Sequence, residues 1–468
     1  MLGSYELKAP RTFSIYEEES VMQEESQSLD VLIINSPLFR DKVDGYDEDS
    51  LPPLGLGYIA TDLWSNGITV ELLDAVEMNI SLETLLAVIR QKRPRYVALN
   101  VFTTNLHLVR EIVESIKGGV RFIIGGLATK NLYQTILLWD TSCHVDIVIG
   151  EGDFVVSAIV QGKSVEIIWR DGNKRVITVS ITSPYFPHDI SNIPLDRSYF
   201  VNQPLRHMLG FNEVSIVTSR GCMYNCAFCS AARSLNREIP IRERSAQSVT
   251  NEVKMLCELY QNVDSVRVLD DLFLRNADSV ERAVRMFGDI PVTWRATAHV
   301  LSFYKLSDAQ LFELKRSGCM EVFIGIESGS PRILRTIHKT SDVNLIKRTI
   351  ERLFLAGINV KGYFIFGFET ETIDDMRMSY DLAAWLKESS VKNGVNFRTS
   401  VFQFRPYHGT ELYYDMILKG KIIDEVVYSE DLSINIGRKQ FNFTSGNFSE
   451  VSDEILRKFI TKTNGINR

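Results

Sequence analysis

The sequence predicts an α/β protein built as a doubly wound, Rossmann-like parallel sheet followed by a partial (β/α)6 barrel. Short apolar runs and amphipathic helical stretches alternate twice along the 468 residues, once from Val31 and again from Glu213. Such alternation is the pattern of parallel sheets covered by helices. A proline-containing connector separates the two series, and a cysteine loop follows the first strand of the second.

In the first domain, 30–155, Val31–Asn35, Val70–Asp74, Tyr96–Phe102, Phe122–Gly126 and Asp146–Gly150 read as strands. Helices are expected near 55–66, 80–93, 105–117 and 130–139. Small residues sit at the predicted strand ends: Gly55 in the Pro-Pro-Leu-Gly opening of the first helix, then Thr103, Gly125-Gly126 and Gly150-Glu151-Gly152. Ligands of doubly wound sheets bind at these carboxyl ends, and glycine lets a large flat or phosphate-bearing group approach the backbone. No G-x-G-x-x-G fingerprint is present, which argues against a nicotinamide or flavin site.

Residues 156–211 read as a connector containing a hairpin. Val165–Trp169 and Arg175–Ser180 flank the turn Asp171-Gly172-Asn173, and Pro184, Pro187 and Pro194 follow. The second domain, 212–415, has strands expected at 213–218, 264–270, 292–298, 321–326, 360–366 and 398–404. Helices are expected near 246–260, 277–287, 307–317, 342–356 and 373–388. Six βα units describe a partial barrel whose working face lies at the strand carboxyl ends. The ends of the chain carry less pattern. Residues 1–29 form an acidic extension containing Glu17-Glu18-Glu19, and 416–468 form a mixed tail without cysteine, so it cannot carry a second cluster.

Cys222, Cys226 and Cys229 have the spacing C-x3-C-x2-C, with Phe228 just before the last thiol. One loop of this kind can hold three corners of a [4Fe–4S] cluster and leave one iron open to a small molecule. A structural zinc site wants four ligands, and none of the seven histidines pairs closely with another ligand candidate after Cys229. Six cysteines in 468 residues do not make a secreted disulfide framework.

Bulk composition limits the function classes. With 45% hydrophobic and 24% charged residues, the chain has the make-up of globular domains. It lacks the ~18–20-residue apolar run of a membrane helix. Its polar, acidic beginning has no signal-peptide form. The net charge of −7 argues against a dominant nucleic-acid surface. An oxygen-labile cluster, with further thiols at Cys143, Cys257 and Cys319, suits a reducing cytoplasm. A soluble cytoplasmic protein with neither membrane nor nucleic-acid partner is expected.

Over 31–415 these segments resemble the radical S-adenosylmethionine (SAM) superfamily. Within it they resemble the group in which a cobalamin-binding domain precedes the barrel. The resemblance rests on Pro52–Tyr58, Ile124-Gly125-Gly126, Gly150-Glu151-Gly152, the cysteine loop, Asp270-Asp271, Gly325–Ser330 and Pro406–Thr410. It implies a [4Fe–4S] cluster on Cys222, Cys226 and Cys229, with SAM bound at the open iron and cleaved to a 5′-deoxyadenosyl radical. SAM would be met by Phe228 against the adenine, by Asp270, Glu327 and Ser328 at strand ends, and by Arg295 at its carboxylate. Ile365 and Gly367 would lie along the adenine-contacting strand. Cobalamin would lie over Gly55, Thr103, Gly125, Gly126, Gly150, Glu151 and Gly152.

The resemblance therefore implies a cobalamin-dependent methyltransferase acting on an unactivated carbon of a small-molecule, natural-product or peptide substrate, with a low-potential electron donor of flavodoxin or ferredoxin type. The alternative is an epimerase, rearrangement or cyclisation enzyme of the same architecture. An epimerase needs a hydrogen donor, for which Cys257 and Cys319 are the candidates. Three departures from the family pattern stand out. Gly367-Phe368-Glu369-Thr370-Glu371-Thr372 lacks the usual Pro-Gly turn, and His408 replaces a proline before Gly409-Thr410. No Asp-x-His-x-x-Gly signature supplies a cobalt-ligating histidine; neither His107 nor His144 has that spacing.

Overall fold

Five apolar runs become strands of one parallel sheet, buried on both faces, which explains why they read as continuous rather than alternating. The computed structural model describes residues 28–36, 51–78, 80–200, 203–207, 210–422 and 446–467. The acidic extension expected at 1–29 lies almost wholly outside the described residues, as does much of the tail expected at 416–468. In chain order the elements are β1 (Val31–Asn35), α1 (Leu54–Ser65), β2 (Val70–Asp74), α2 (Leu82–Lys92) and β3 (Tyr96–Asn100). There follow α3 (Leu106–Ser115), β4 (Arg121–Gly125), α4 (Thr129–Leu137), β5 (His144–Ile149) and α5 (Val155–Val160). Val31 to Ile34 of β1 are fully buried.

The hairpin expected in the connector belongs to this sheet. β6 (Ile167–Asp171) and β7 (Lys174–Thr178) pair antiparallel, and β7 pairs parallel with β5. The strand order is β2-β1-β3-β4-β5-β7-β6. Unpaired main-chain groups on the edge of β5 explain why the hairpin is drawn in.

The second series begins with β8 (Leu205–Arg206), β9 (Asn212–Ile216) and the antiparallel pair β10 (Ser219–Arg220) and β11 (Arg242–Glu243). It continues with α6 (Ala246–Leu259), β12 (Ser265–Val268), α7 (Ala277–Phe287), β13 (Thr293–Ala298), α8 (Asp308–Arg316) and β14 (Cys319–Glu327). Next come α9 (Pro331–Thr336), α10 (Val343–Leu355), β15 (Asn359–Phe366), α11 (Ile373–Lys392), β16 (Phe397–Gln403), α12 (Glu411–Leu418) and α13 (Asp453–Asn464). The order β16-β15-β14-β13-β12-β9-β8 makes six successive parallel neighbours, so their carboxyl ends share one rim. Between sheet and helices, Trp294 stacks on Phe287 at 5.0 Å and meets Phe273 edge-on at 5.8 Å.

The chain divides into two compact units. One contains Ser50–His188 and Ile193–Gln203 together with β1, the other Asp189–Asn192 and Pro204–Arg468. Among the described residues no helix is long and apolar enough to cross a membrane.

Candidate active site

The cysteine loop leaves β9 and is fastened at its base by one carboxylate. Asp270, just past β12, accepts hydrogen bonds from the Thr218 N–H (2.7 Å), the Thr218 hydroxyl (2.7 Å) and the Ser219 hydroxyl (2.6 Å). The expectation that Asp270 faces SAM is corrected: its side chain is buried and committed to the loop's base. Asp271 accepts from the Gly221 N–H at 3.2 Å, where Gly221 has φ +95°.

Further along, the loop is tied to distant βα connections. Ala227 N–H donates to the Ile337 carbonyl and Leu412 N–H to the Ala227 carbonyl, at 3.2 and 3.1 Å. The His338 ring meets the Asn225 carbonyl at 3.1 Å. Burial pushes all three thiols up in pKa, Cys229 to about 12, while Lys339 acts in the opposite direction on Cys222 and Cys226. Bare thiolates are disfavoured there; bonding to iron would supply the missing counter-charge. Among the described residues no three His, Cys, Asp or Glu side chains converge on a single-ion site.

At the end of β14 the backbone turns sharply. Glu327 has φ +66°, and its carboxylate lies 3.4 Å from Lys339 Nζ, which also donates to the Gly325 carbonyl at 2.9 Å. A side chain at Gly325 would displace the Glu327 carboxylate, because an added Cβ would overlap it. Ser328, expected to face SAM, is instead fully buried. Its hydroxyl lies 3.0 Å from that of Ser379 and accepts from the Ser330 N–H at 3.1 Å. It holds the turn that presents Glu327.

Arg295 is a second correction. Its guanidinium is engaged by Glu213 and lies 3.3 Å from Glu321, which also pairs with Arg398 at 2.6 Å. These residues sit near the amino-terminal ends of β9, β13, β14 and β16, away from the rim that carries the cysteines. Burial raises the Glu321 carboxyl, but Arg398, Arg295 and Lys361 outweigh it and hold it down at about 2.

Phe228 is half-buried and meets Phe368 edge-on at 6.0 Å. Ile365 is half-buried near the end of β15, and Gly367 follows with φ +96°. Gly367 and Phe368 donate their N–H groups to Glu371 Oε2 at 2.6 and 3.2 Å. Thr370 occupies φ +64°, and Arg332 bonds to its hydroxyl and carbonyl at 3.0 and 2.7 Å.

In the first unit the predicted rim residues fall into two kinds. An added Cβ would meet Val101 O at 2.7 Å from Gly126 (φ +116°), Val179 O from Gly150 (φ +107°) and the Ile59 side chain from Gly152. Positive φ and the opposing backbone require Gly126 and Gly150, whereas a side chain at position 152 would only push Ile59 aside. Gly55 and Gly125 differ: nothing lies within 4 Å of an added Cβ. Thr103 is buried and Glu151 half-buried, while Phe102 and Leu127, both at strand ends, are 38% and 55% exposed. Asn35, Asp74 and Asn100 link the ends of β1, β2 and β3 through bonds of 2.7 and 2.8 Å.

A radical SAM superfamily profile matches residues 216–383, and a B12-binding domain profile matches 46–160. The chain thus carries a radical SAM domain preceded by a B12-binding domain, the layout of the cobalamin-domain subgroup. It is 25% identical over 422 residues to an uncharacterized methyltransferase of Pyrococcus horikoshii, covering 87% of this chain and 86% of the relative. It is 24% identical to the cytidylyl-2-hydroxyethylphosphonate methyltransferase of Streptomyces wedmorensis (80% and 79% covered). It is 22% identical to an anaerobic magnesium-protoporphyrin IX monomethyl ester cyclase of Rubrivivax gelatinosus (80% and 72%).

Among solved structures it resembles the methyltransferase TsrM of Kitasatospora setae with cobalamin and a [4Fe–4S] cluster bound, at TM-score 0.58 and 17% identity, over 84% of this chain and 78% of that one. It also resembles the cobalamin-dependent radical enzyme OxsB at TM-score 0.64 and 14% identity, over 91% and 65%, so the chain spans about two thirds of OxsB's length. At these identities the structural likeness shows the fold.

This layout implies a [4Fe–4S] cluster, SAM and cobalamin, and the residues present fit each. Three half-buried thiols with a lysine beside them suit a cluster. Gly55 and Gly125 each leave open space at strand ends where Phe102 and Leu127 are exposed, which suits a large flat ring. Sequence reading missed Lys339, Phe102 and Leu127. Lys339 follows Glu327 by twelve residues with no motif between to mark it, and an apolar residue just past a strand reads as core.

Proposed function

We propose that this chain is a cobalamin-dependent radical SAM methyltransferase acting on an unactivated carbon of a small-molecule or peptide substrate. The reading is carried by what each unit holds on its own. In the second, a half-buried three-cysteine loop lies beside the Glu327–Lys339 ion pair at the end of β14; in the first, Gly55 and Gly125 leave unfilled space at strand ends. The relatives named as methyltransferases support the same class.

Bound there, the cluster would supply one-electron chemistry to SAM, drawing on a flavodoxin- or ferredoxin-type donor, and cobalamin would supply methyl-transfer chemistry. The chain's own residues bind and orient. Cys222, Cys226 and Cys229 hold the cluster, and Lys339 is the cation placed for the SAM carboxylate in place of Arg295. Glu327 faces the amino or ribose end, and Phe228, Ile365 and Gly367 line the adenine side. Thr103, Gly55, Gly125, Gly126, Gly150, Glu151 and Gly152 form the cobalamin surface, with Phe102 and Leu127 against the ring. The epimerase alternative lacks its donor: Cys319 is fully buried in β14, and Cys257 lies on α6, packed against the core.

The test is anaerobic purification with iron, sulfide and hydroxocobalamin, followed by a count of cofactors on the desalted protein. About one cobalamin and one cluster per chain is expected, with 5′-deoxyadenosine released under reduction. A folded protein that takes up the cluster and no cobalamin refutes the methyltransferase reading.

A further inference from the structure

The stretch between the first two cysteines is held by a stacked pair of rings. Tyr224 lies two residues after Cys222 and two before Cys226. Its ring faces that of His299 with centroids 3.9 Å apart and planes 18° apart. His299 follows β13 directly, is 6% exposed, and accepts the Leu301 N–H on Nδ1 at 3.2 Å. That bond fixes the tautomer, placing the ring proton on Nε2. Burial, and then the nearby Lys339, hold its pKa down to about 3, so the ring adds no charge beside the thiols.

Tyr224 also reaches the ligands through its backbone. Its N–H lies on the side of the Cys222 sulfur, where it favours the thiolate, and its carbonyl accepts the Arg233 N–H at 2.8 Å. Hydrogen bonds to cluster sulfurs are among the features that set a cluster's reduction potential. Where Tyr224 stands therefore affects how readily the cluster takes an electron.

We propose that His299 is a positioning residue for the cluster: stacked on Tyr224, it fixes the Tyr224 N–H against the Cys222 sulfur and thereby helps set the reduction potential. The proposal rests on the cysteine loop being a cluster site, and not on cobalamin or methyl transfer. A ring that merely fills space would affect stability and leave the potential where it is.

The experiment is a redox titration of the reconstituted full-length protein, followed by electron paramagnetic resonance of the reduced cluster. In His299→Ala the potential moves to more negative values, and the reduced-to-oxidised ratio at a fixed potential falls roughly fivefold, the equivalent of about one weak hydrogen bond. Tyr224→Leu gives the same shift, the double variant gives no more than either single one, and His299→Phe, which keeps a stacking ring, stays near wild type. A wild-type potential in His299→Ala, or additive shifts in the double variant, overturns the proposal. If His299→Ala takes up no iron, Tyr224→Leu against His299→Phe decides: a shift in the first alone supports the proposal, and equal behaviour overturns it. Wild-type protein that assembles no cluster refutes the assigned function instead.

Discussion

Two cations of the barrel exchange roles: Arg295 read as the carboxylate partner, whereas Lys339 carried no signal in the sequence. Arg295 is 1% exposed and already balanced by Glu213 and Glu321. Removing one member of such a buried pair costs about 3–5 kcal/mol. Arg295→Met is therefore expected to lower the melting temperature while leaving SAM affinity unchanged in the protein that remains folded. Lys339→Met is expected to weaken SAM binding about tenfold or more, the scale of a charge-assisted hydrogen bond, measured by equilibrium binding to the reconstituted enzyme. Equal SAM affinities in the two variants would refute the assignment.

Glu371 shows a different balance. Burial raises its carboxyl to about 8 despite the Gly367 and Phe368 N–H donors, and its second oxygen is buried without a partner. The folded state thus binds a proton that the unfolded state releases above the ordinary glutamate value of 4.5. Stability from this group is present below that pH and is lost as pH rises towards 8. The melting temperature of Glu371→Gln, compared with wild type from pH 5 to 8, should lack this component of the fall. Parallel curves would show that Glu371 titrates normally.

At the scale of elements, glycines of similar appearance do different work because of what lies opposite them. Gly125 ends β4 with open space above it, and Gly126 follows with φ +116° and Val101 backbone against it. Gly126→Ala is expected to destabilise the first unit by about 2–4 kcal/mol, since both the left-handed backbone and the backbone clash resist a side chain. Gly125→Leu is expected to keep the wild-type melting temperature and lose most bound cobalamin, read from the visible spectrum after desalting. Retention of full cobalamin by Gly125→Leu would remove that glycine from the site. The loop after β15 makes a related point: in place of the family's Pro-Gly turn, Thr370 takes the left-handed conformation and Arg332 holds it there.

At the scale of the whole molecule, the tail that carried no motif closes the second sheet. α13 packs on α11 and β16, and Asn467 bonds with both the N–H and the carbonyl of Thr399, at 2.6 and 2.9 Å. An open sheet edge is a liability, and β16 would otherwise present one. Leu456 on α13 is 1% exposed and lies beside Gly367. Leu456→Ala is expected to cost about 2–4 kcal/mol, seen as a lower denaturant midpoint, although no cofactor ligand is touched. An unchanged midpoint would mean the helix merely rests on the barrel.

The sequence alone determined the two alternating series, the parallel sheets that follow from them and the three cysteines. All of these are local: strand length, apolar runs and ligand spacing are written within a few residues. Tertiary structure alone decided which of the polar side chains expected to meet SAM are available. Asp270, Ser328 and Arg295 are consumed by Thr218, Ser379 and Glu213, partners roughly fifty to eighty positions distant in the chain. Lys339 is placed beside the thiols by loops joined across the barrel. The physical reason is that a buried polar group must find its partner wherever the fold brings one, and one residue's spacing from the next carries no record of that choice.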